Sequence, residues 1–363
     1  AWTVQILRGG LLYVILLSVA PYAAAFYNEP MLVGLIAVGG LQLVSGGLTS
    51  VAYLTASRHI RLERVSMLQI TAQVISVAVM IALAYWFRSV WALAVGAMLQ
   101  STVFAVLSHT ALKGPRRRFR IERAAFFEIF HFGKYIFFAT IAGFFLIQGD
   151  RAVLGKLIPL NELALFAIAL VFVQATYDLT NAIGARIVFP LYAQRPPGDS
   201  AENWRRIARA RWLLSLGSCG SLSILALSGN WLIRVLYDPR YEAAGPILVL
   251  LAIGTLLKLI VLSYPAMALS AGRSGRFALY LSFAAALYIG VLILGVQQAG
   301  IVGAALAPAA ASVLAYPALA LLTRPFGGLD YRHDAIMLLV AGAVAALALW
   351  WNWAALAPLF AAL

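Results

Sequence analysis

A lysine stands at position 258, deep inside the long apolar run Ala244–Ala271. An ammonium is costly in hydrocarbon and persists there for a function or for a partner. At 1.5 Å per residue it lies about 21 Å from either end of a helix over that run, too deep to reach the headgroups. Its chemistry is that of an anion-attracting group in a polar cavity, or of the cationic half of a buried pair. Asp178, with Gln174 and Asn181 one turn to either side, puts three polar groups on one helical face. They suit a cavity lining or a cation-sensitive site, or a hydrogen-bonded buried set. Arg8 sits near one end of the first apolar run and either faces a cavity, where it meets an anionic headgroup, or snorkels. Arg186 and Arg234 lie near the ends of other runs, where snorkelling is favoured. Asp150–Arg151, beside Lys156, reads as an exposed ion pair or lobe contact, with a gate as the alternative for Asp150, Arg151 and Arg186. Gln69, Gln73 and Gln100 add polar lining. The cavity candidates lean cationic, which suits a lipid carrying phosphate groups better than an apolar drug.

The elements that carry these residues are membrane spans. The chain is 63% hydrophobic and only 11% charged, against about 25% charged in soluble domains. Roughly 20 apolar residues cross about 30 Å of hydrocarbon. Eleven runs qualify: Val4–Phe26, Met31–Thr55, Met67–Phe87, Trp91–Leu112, Lys134–Gly149, Leu160–Arg186, Ala210–Leu236, Ala244–Ala271, Ser274–Val296, Ile301–Thr323 and Asp334–Trp353. The fifth is short unless it continues past Asp150 to Ile158.

Charge alternates across the breaks. The even breaks hold Arg58, Arg61 and Arg64, then Lys113, Arg116, Arg117, Arg118, Arg120 and Arg123, then Arg195 to Arg211, then Arg273 and Arg276, then Arg324 and Arg332. With Lys134, 19 of the 27 Lys and Arg fall on that side and 4 on the other. The positive-inside rule makes it cytoplasmic. The net charge of +14 therefore reflects topology, and anionic phospholipids, with Arg116, Arg117, Arg118 and Arg120 as contacts, are expected partners rather than nucleic acid. Aromatics form belts: Trp86, Trp91, Trp231, Tyr237, Tyr241, Trp350, Trp351 and Trp353 outside, Trp204 and Trp212 inside. Cys219 is the single cysteine and the four histidines are scattered, so neither a disulfide nor a metal site is expected.

Weak internal repeats organise the spans. Ala52-Tyr-Leu-Thr-Ala-Ser-Arg58 resembles Met267-Ala-Leu-Ser-Ala-Gly-Arg273, and the opening Trp91–Ala97 resembles Ile301–Ala307. The offset is six spans, so both copies share one orientation and form a parallel repeat. The expected fold is an all-α polytopic bundle of two six-helix-type lobes, the first incomplete. Residues 1–112 form the rest of the N-terminal lobe and 113–133 a basic interfacial linker. The second lobe follows at 134–323, and 324–363 form an extra C-terminal helix.

Several short motifs carry a family resemblance. Gln5-Ile-Leu-Arg8-Gly9 opens an apolar span, Tyr27-Asn-Glu-Pro30 forms a short outer turn, and Phe132-Gly133-Lys134-Tyr135 precedes Gly149-Asp150-Arg151 and Leu154-Gly155-Lys156. Arg186-Ile-Val-Phe-Pro190 closes the next helix. In this order they resemble the Wzx-like oligosaccharide flippases of the multidrug/oligosaccharidyl-lipid/polysaccharide exporter superfamily, with the first two helices missing. The resemblance implies a transporter, not an enzyme, in the bacterial inner membrane. It would move undecaprenyl-diphosphate-linked oligosaccharide for O-antigen or exopolysaccharide by alternating access around a cationic cavity. No cofactor is implied; coupling to a proton or sodium gradient stays open, as do glycan polymerase or chain-length partners. A multidrug/cation antiporter of the same superfamily is the first alternative, and it favours acidic cavity residues. A membrane glycan polymerase is the second, but it needs a sizeable outer loop and the outer breaks are only a few residues long.

Overall fold

The computed structural model describes residues 2–50, 62–111, 123–194 and 197–361, the side chains of 62–65 and 123–139 excepted. Every regular element among them is helical, and a helix lies within each expected span; the ends of the second and fourth, at 51–55 and 112, lie outside the described residues. The chain divides into two compact units, Ala1–Ile129 and Phe130–Leu363.

The first unit holds α1 (Trp2–Tyr27), α2 (Met31–Leu48), α3 (Leu62–Phe87) and α4 (Trp91–Thr110). Small residues let α1 and α2 touch backbone to backbone. A Cβ on Gly9 would lie 2.5 Å from the Leu43 carbonyl oxygen, and one on Gly47 3.0 Å from that of Gln5. Such contacts suit lipid, where packing rather than water exclusion joins helices. Hydroxyls add to the packing. Ser45 and Ser101 share a hydrogen bond of 2.8 Å between α2 and α4, and Ser76 of α3 donates to the Gly96 carbonyl of α4 at 2.6 Å.

The second unit begins within α5 (Arg123–Leu157) and continues with α6 (Leu160–Ile183), a π-helical turn at Gly184–Val188 and the short α7 (Phe189–Gln194). Then come α8 (Ala201–Leu236), α9 (Ala244–Ile260), α10 (Pro265–Ser270), α11 (Ser274–Thr323), α12 (Tyr331–Trp351) and α13 (Trp353–Ala361). The expected fifth span, Lys134–Gly149, is thus part of a longer helix running through Asp150. No proline interrupts 123–157; the first one, Pro159, stands in the extended conformation that caps α6. The interfacial linker expected at 113–133 merges from Arg123 onward with this helix.

The run α11 is two passes. Ala299 and Gly300 leave helical geometry, and Gly300 takes φ +51°, a left-handed value open to glycine. A straight helix would separate residues 295 and 303 by about 12 Å, yet a Cβ on Gly295 would lie 2.9 Å from the Gly303 carbonyl oxygen. The helix has folded back on itself, as the two expected spans require.

At the centre of the unit is α9. In the window through Ala244–Ser270, 72% of residues are buried, against 11% to 22% in the four spans of the first unit. A polar residue on this element faces protein, not lipid. The span is also discontinuous. Pro265 has no N–H for the Val261 carbonyl one turn back, and its ring crowds that position. The helix accordingly stops at Ile260 and resumes as α10.

Candidate functional site

Lys258 lies in the last turn of α9, two residues before the break rather than in the middle of a continuous helix. A cation there complements the helix C-terminus. Its Nζ donates to the Leu146 carbonyl of α5 at 3.2 Å and stands 4.7 Å from the ring centre of Tyr177 on α6 and 5.7 Å from that of Tyr288 on α11. Asp150 of α5, 6% exposed, interacts with it electrostatically. No direct ion pair joins the two among the described residues. Four elements thus converge on a cavity of about 30 Å³, also lined by Gln174 and Thr255. This is room for a single water. In this conformation the amino group is covered by a carbonyl and two rings, with a carboxylate beyond ion-pair distance.

The other expected site residues distribute unevenly. Asp150 is not the exposed ion pair of the sequence reading: the uninterrupted α5 turns its carboxylate inward, where it accepts from the Arg151 N–H at 2.8 Å. Arg151 itself is exposed. Gln174 lines the Lys258 cavity and donates to Asp178 Oδ1 at 2.9 Å, while Asp178 is exposed. Asn181 belongs elsewhere, to a separate cavity with Thr180, Leu214 and Ser263. Arg186 is exposed on the π-helical turn. Arg8 is exposed on α1 of the first unit, and Lys258 belongs to the second. Arg116, Arg117, Arg118 and Arg120, the expected lipid contacts, lie outside the described residues.

The sequence reading missed one cluster. It counted Arg211 among the basic loop residues, but α8 begins at Ala201, capped by Ser200 Oγ on the Asn203 N–H at 3.1 Å, and carries Arg211 inside. Arg211 is 2% exposed. Its Nη2 meets Asp334 Oδ1 of α12 at 3.3 Å, its Nη1 donates to the Gly328 carbonyl at 3.2 Å, and its guanidinium lies 3.8 Å over the Tyr264 ring. Asp334 also accepts from the Tyr264 hydroxyl at 2.8 and 2.7 Å, from Tyr316 at 2.7 Å, and from His333 Nδ1 at 2.9 Å when the proton is on that nitrogen. His333 Nε2 reaches Ser215 Oγ at 3.1 Å. Trp212, expected in the inner aromatic belt, packs edge-on against His333 at 4.7 Å. At the far end of the same helices, Asn230 donates to Asn352 Oδ1 at 2.7 Å and Asn352 to the Ala226 carbonyl at 3.1 Å. The helix α12 is therefore fastened to α8 at both ends. Arg211 and Asp334 are 123 residues apart, and no local spacing announces their meeting.

A family model described as polysaccharide biosynthesis protein matches residues 1–246, more than half of the chain. The chain belongs to this family. Among curated relatives, this polysaccharide biosynthesis protein is 22% identical over 259 residues to the amylovoran biosynthesis protein AmsL of Erwinia amylovora, covering 70% of this chain and 66% of AmsL. It is 22% identical over 299 residues to the teichuronic acid biosynthesis protein TuaB of Bacillus subtilis (strain 168), covering 82% of this chain and 61% of TuaB. The chain thus spans less than two thirds of the length of these relatives. Its fold is similar to the solved inward closed conformation of lipid II flippase MurJ, with a TM-score of 0.63 at 13% identity over 96% of this chain and 82% of that one. The resemblance to Wzx-like flippases read from short motifs agrees with both the family and the fold. The molecule is a multi-pass helical membrane protein of polysaccharide biosynthesis.

Proposed function

We propose that this protein moves undecaprenyl-diphosphate-linked oligosaccharide across the bacterial inner membrane, with its basic loops cytoplasmic, to supply surface polysaccharide such as O-antigen or exopolysaccharide. The observation that carries this reading is Lys258, held at a helix break in the most buried span. A diphosphate is the substrate group that such a cation suits. Discontinuous spans at mid-membrane are where transporters place their substrate contacts.

The mechanism follows from the partners of Lys258. In the closed cavity its ammonium spends one donor on Leu146 and faces two tyrosine rings. Asp150 offsets its charge while substrate is absent. When the cavity opens, the diphosphate displaces these weaker contacts, and charge-assisted bonds replace a neutral carbonyl bond. Return of Asp150 and the rings after release closes the cycle. Alternating access then needs only that the two arrangements of the α9–α10 break differ by a few kcal/mol, as for other two-state elements. The protein acts here as a carrier and makes no covalent change in its cargo.

The test is complementation with the full-length protein in a bacterium lacking its own glycan flippase. Surface polysaccharide should reappear while the lipid-linked intermediate falls in the inner leaflet. A correctly inserted protein that restores no polysaccharide with any of several glycan types would sink the proposal.

A further inference from the structure

The first unit holds a cavity of about 690 Å³ that the Lys258 mechanism does not use. Gln42 of α2, Gln69 and Gln73 of α3, and Gln100 and Ser101 of α4 line it, and Phe104 adds an aromatic wall. These glutamines lie in three apolar spans. At 1.5 Å per residue, Gln42 and Gln100 sit about 14–17 Å from the outer ends of α2 and α4, near mid-membrane. An amide at that depth is costly unless it has hydrogen-bond partners. Scattered amides would each find a local backbone partner. Here four converge on one concave surface.

Their bonding leaves recognition capacity facing the cavity. Gln100 Nε2 donates to Gln73 Oε1 at 2.8 Å. That bond leaves the Gln73 amide nitrogen as donor and the Gln100 carbonyl as acceptor, on two residues that both line the cavity. Among the described residues no charged one lines the cavity. A phosphate would find donors but also face amide carbonyls that repel it. A polyprenyl chain would leave every amide unpaired. A sugar hydroxyl both donates and accepts, and matches an amide group for group. The volume lies in the range of small-molecule sites, about 300–1,000 Å³.

We propose that this glutamine-lined cavity binds neutral sugar residues of the transported glycan through Gln42, Gln73 and Gln100. The division of labour rests on the flippase reading: an uncharged amide site for sugars in one unit, a cationic site for the diphosphate in the other. Binding of free sugar does not depend on transport, so the two can fail separately.

The experiment uses the full-length protein in lipid nanodiscs, with Cys219→Ser and any cysteines outside this chain removed as well. A reporter thiol is introduced at Val74, an exposed residue of the cavity lining that is none of the three proposed contacts (Val74→Cys). Maleimide labelling is timed with a panel of neutral trisaccharides (gluco-, galacto- and N-acetylglucosaminyl) and, separately, with inorganic pyrophosphate. At least one trisaccharide should slow labelling in a saturable way. Gln73→Leu with Gln100→Leu should shift its half-effect concentration about tenfold, as expected for losing hydrogen bonds to one amide pair. A melting measurement confirms that the doubly substituted protein is folded. Protection by pyrophosphate but by no trisaccharide, protection by none of the probes, or trisaccharide protection unchanged in the Leu variants would each overturn the proposal. Sugar protection in a protein that fails to export would overturn the flippase reading instead.

Discussion

Two places in the second unit contain the same chemistry, a cation, a carboxylate and two tyrosines, and use it in opposite ways. At Asp334 the carboxylate is saturated: two tyrosine hydroxyls, a histidine and an arginine reach it within 2.7–3.3 Å from α8, the break between α9 and α10, α11 and α12. At Lys258 the carboxylate of Asp150 stands off, the tyrosines offer ring faces instead of hydroxyls, and among the described residues the ammonium makes one hydrogen bond, to a carbonyl beside a small void. A buried carboxylate with four partners has little acceptor capacity left for a ligand and serves as a fastening, even though the Arg211 Nε beside it is buried without a partner. An undersaturated network can trade its weak contacts for a better partner. The comparison separates the residues that hold the second unit together from those that can handle a substrate.

The sharpest way to break this contrast is to remove Asp334. Asp334→Ala leaves the Arg211 guanidinium buried without its counter-charge, and the expected loss of stability is about 3–5 kcal/mol. It should be read as a lower melting temperature in detergent and less inserted protein. Replacing both partners, Arg211→Met with Asp334→Leu, should recover much of that loss. A single substitution without effect on melting would move this cluster out of the fastening class.

Next comes Lys258. Lys258→Ala should lower export per inserted protein by about 10- to 100-fold, the range for a hydrogen bond to a charged group, while insertion is retained. Lys258→Arg keeps the charge and should retain more transport. Normal export by a well-inserted Lys258→Ala protein would remove the cavity role.

Asp150→Asn sharpens the same point with a smaller effect. Freed of its carboxylate neighbour, Lys258 should hold inorganic pyrophosphate more tightly, by up to about tenfold. Titration of the purified protein reads this directly, and weaker binding would contradict the screening role of Asp150. Asn352→Leu removes a neutral bond at the other end of the α8–α12 contact and should cost about 1 kcal/mol, seen as a modest drop in melting temperature. Arg186→Ala, at an exposed position on the π-helical turn, should change stability by less than about 0.5 kcal/mol and leave export near normal. A large export defect there would restore the gate role considered for it.

Much of this architecture is legible in the chain itself. Each span is announced by its own local composition, because a helix in lipid satisfies its backbone internally and needs only apolar side chains. Pro265 marks a break within its span, and Gly300 a reversal, for equally local reasons. Lys258 stands out because one charge in such a run is costly wherever the helix packs. The partners of Lys258 are a different matter. Its acceptor is the main-chain carbonyl of Leu146, 112 residues away, and a carbonyl carries no sequence signal. Asp150 reads as a surface residue at a span edge until the uninterrupted α5 places it inside.

By itself, the sequence determined that this is a many-span membrane protein, where its helices run, and which intramembrane polar groups demand an explanation, since hydropathy and the cost of buried charge act residue by residue. Only the tertiary structure decided which of those groups meet. Asp334 with Arg211, Asp150 with Lys258, and Gln73 with Gln100 are brought together by helix packing between distant segments, and packing rather than residue type determines whether a polar group is saturated as a fastening or left open for a ligand.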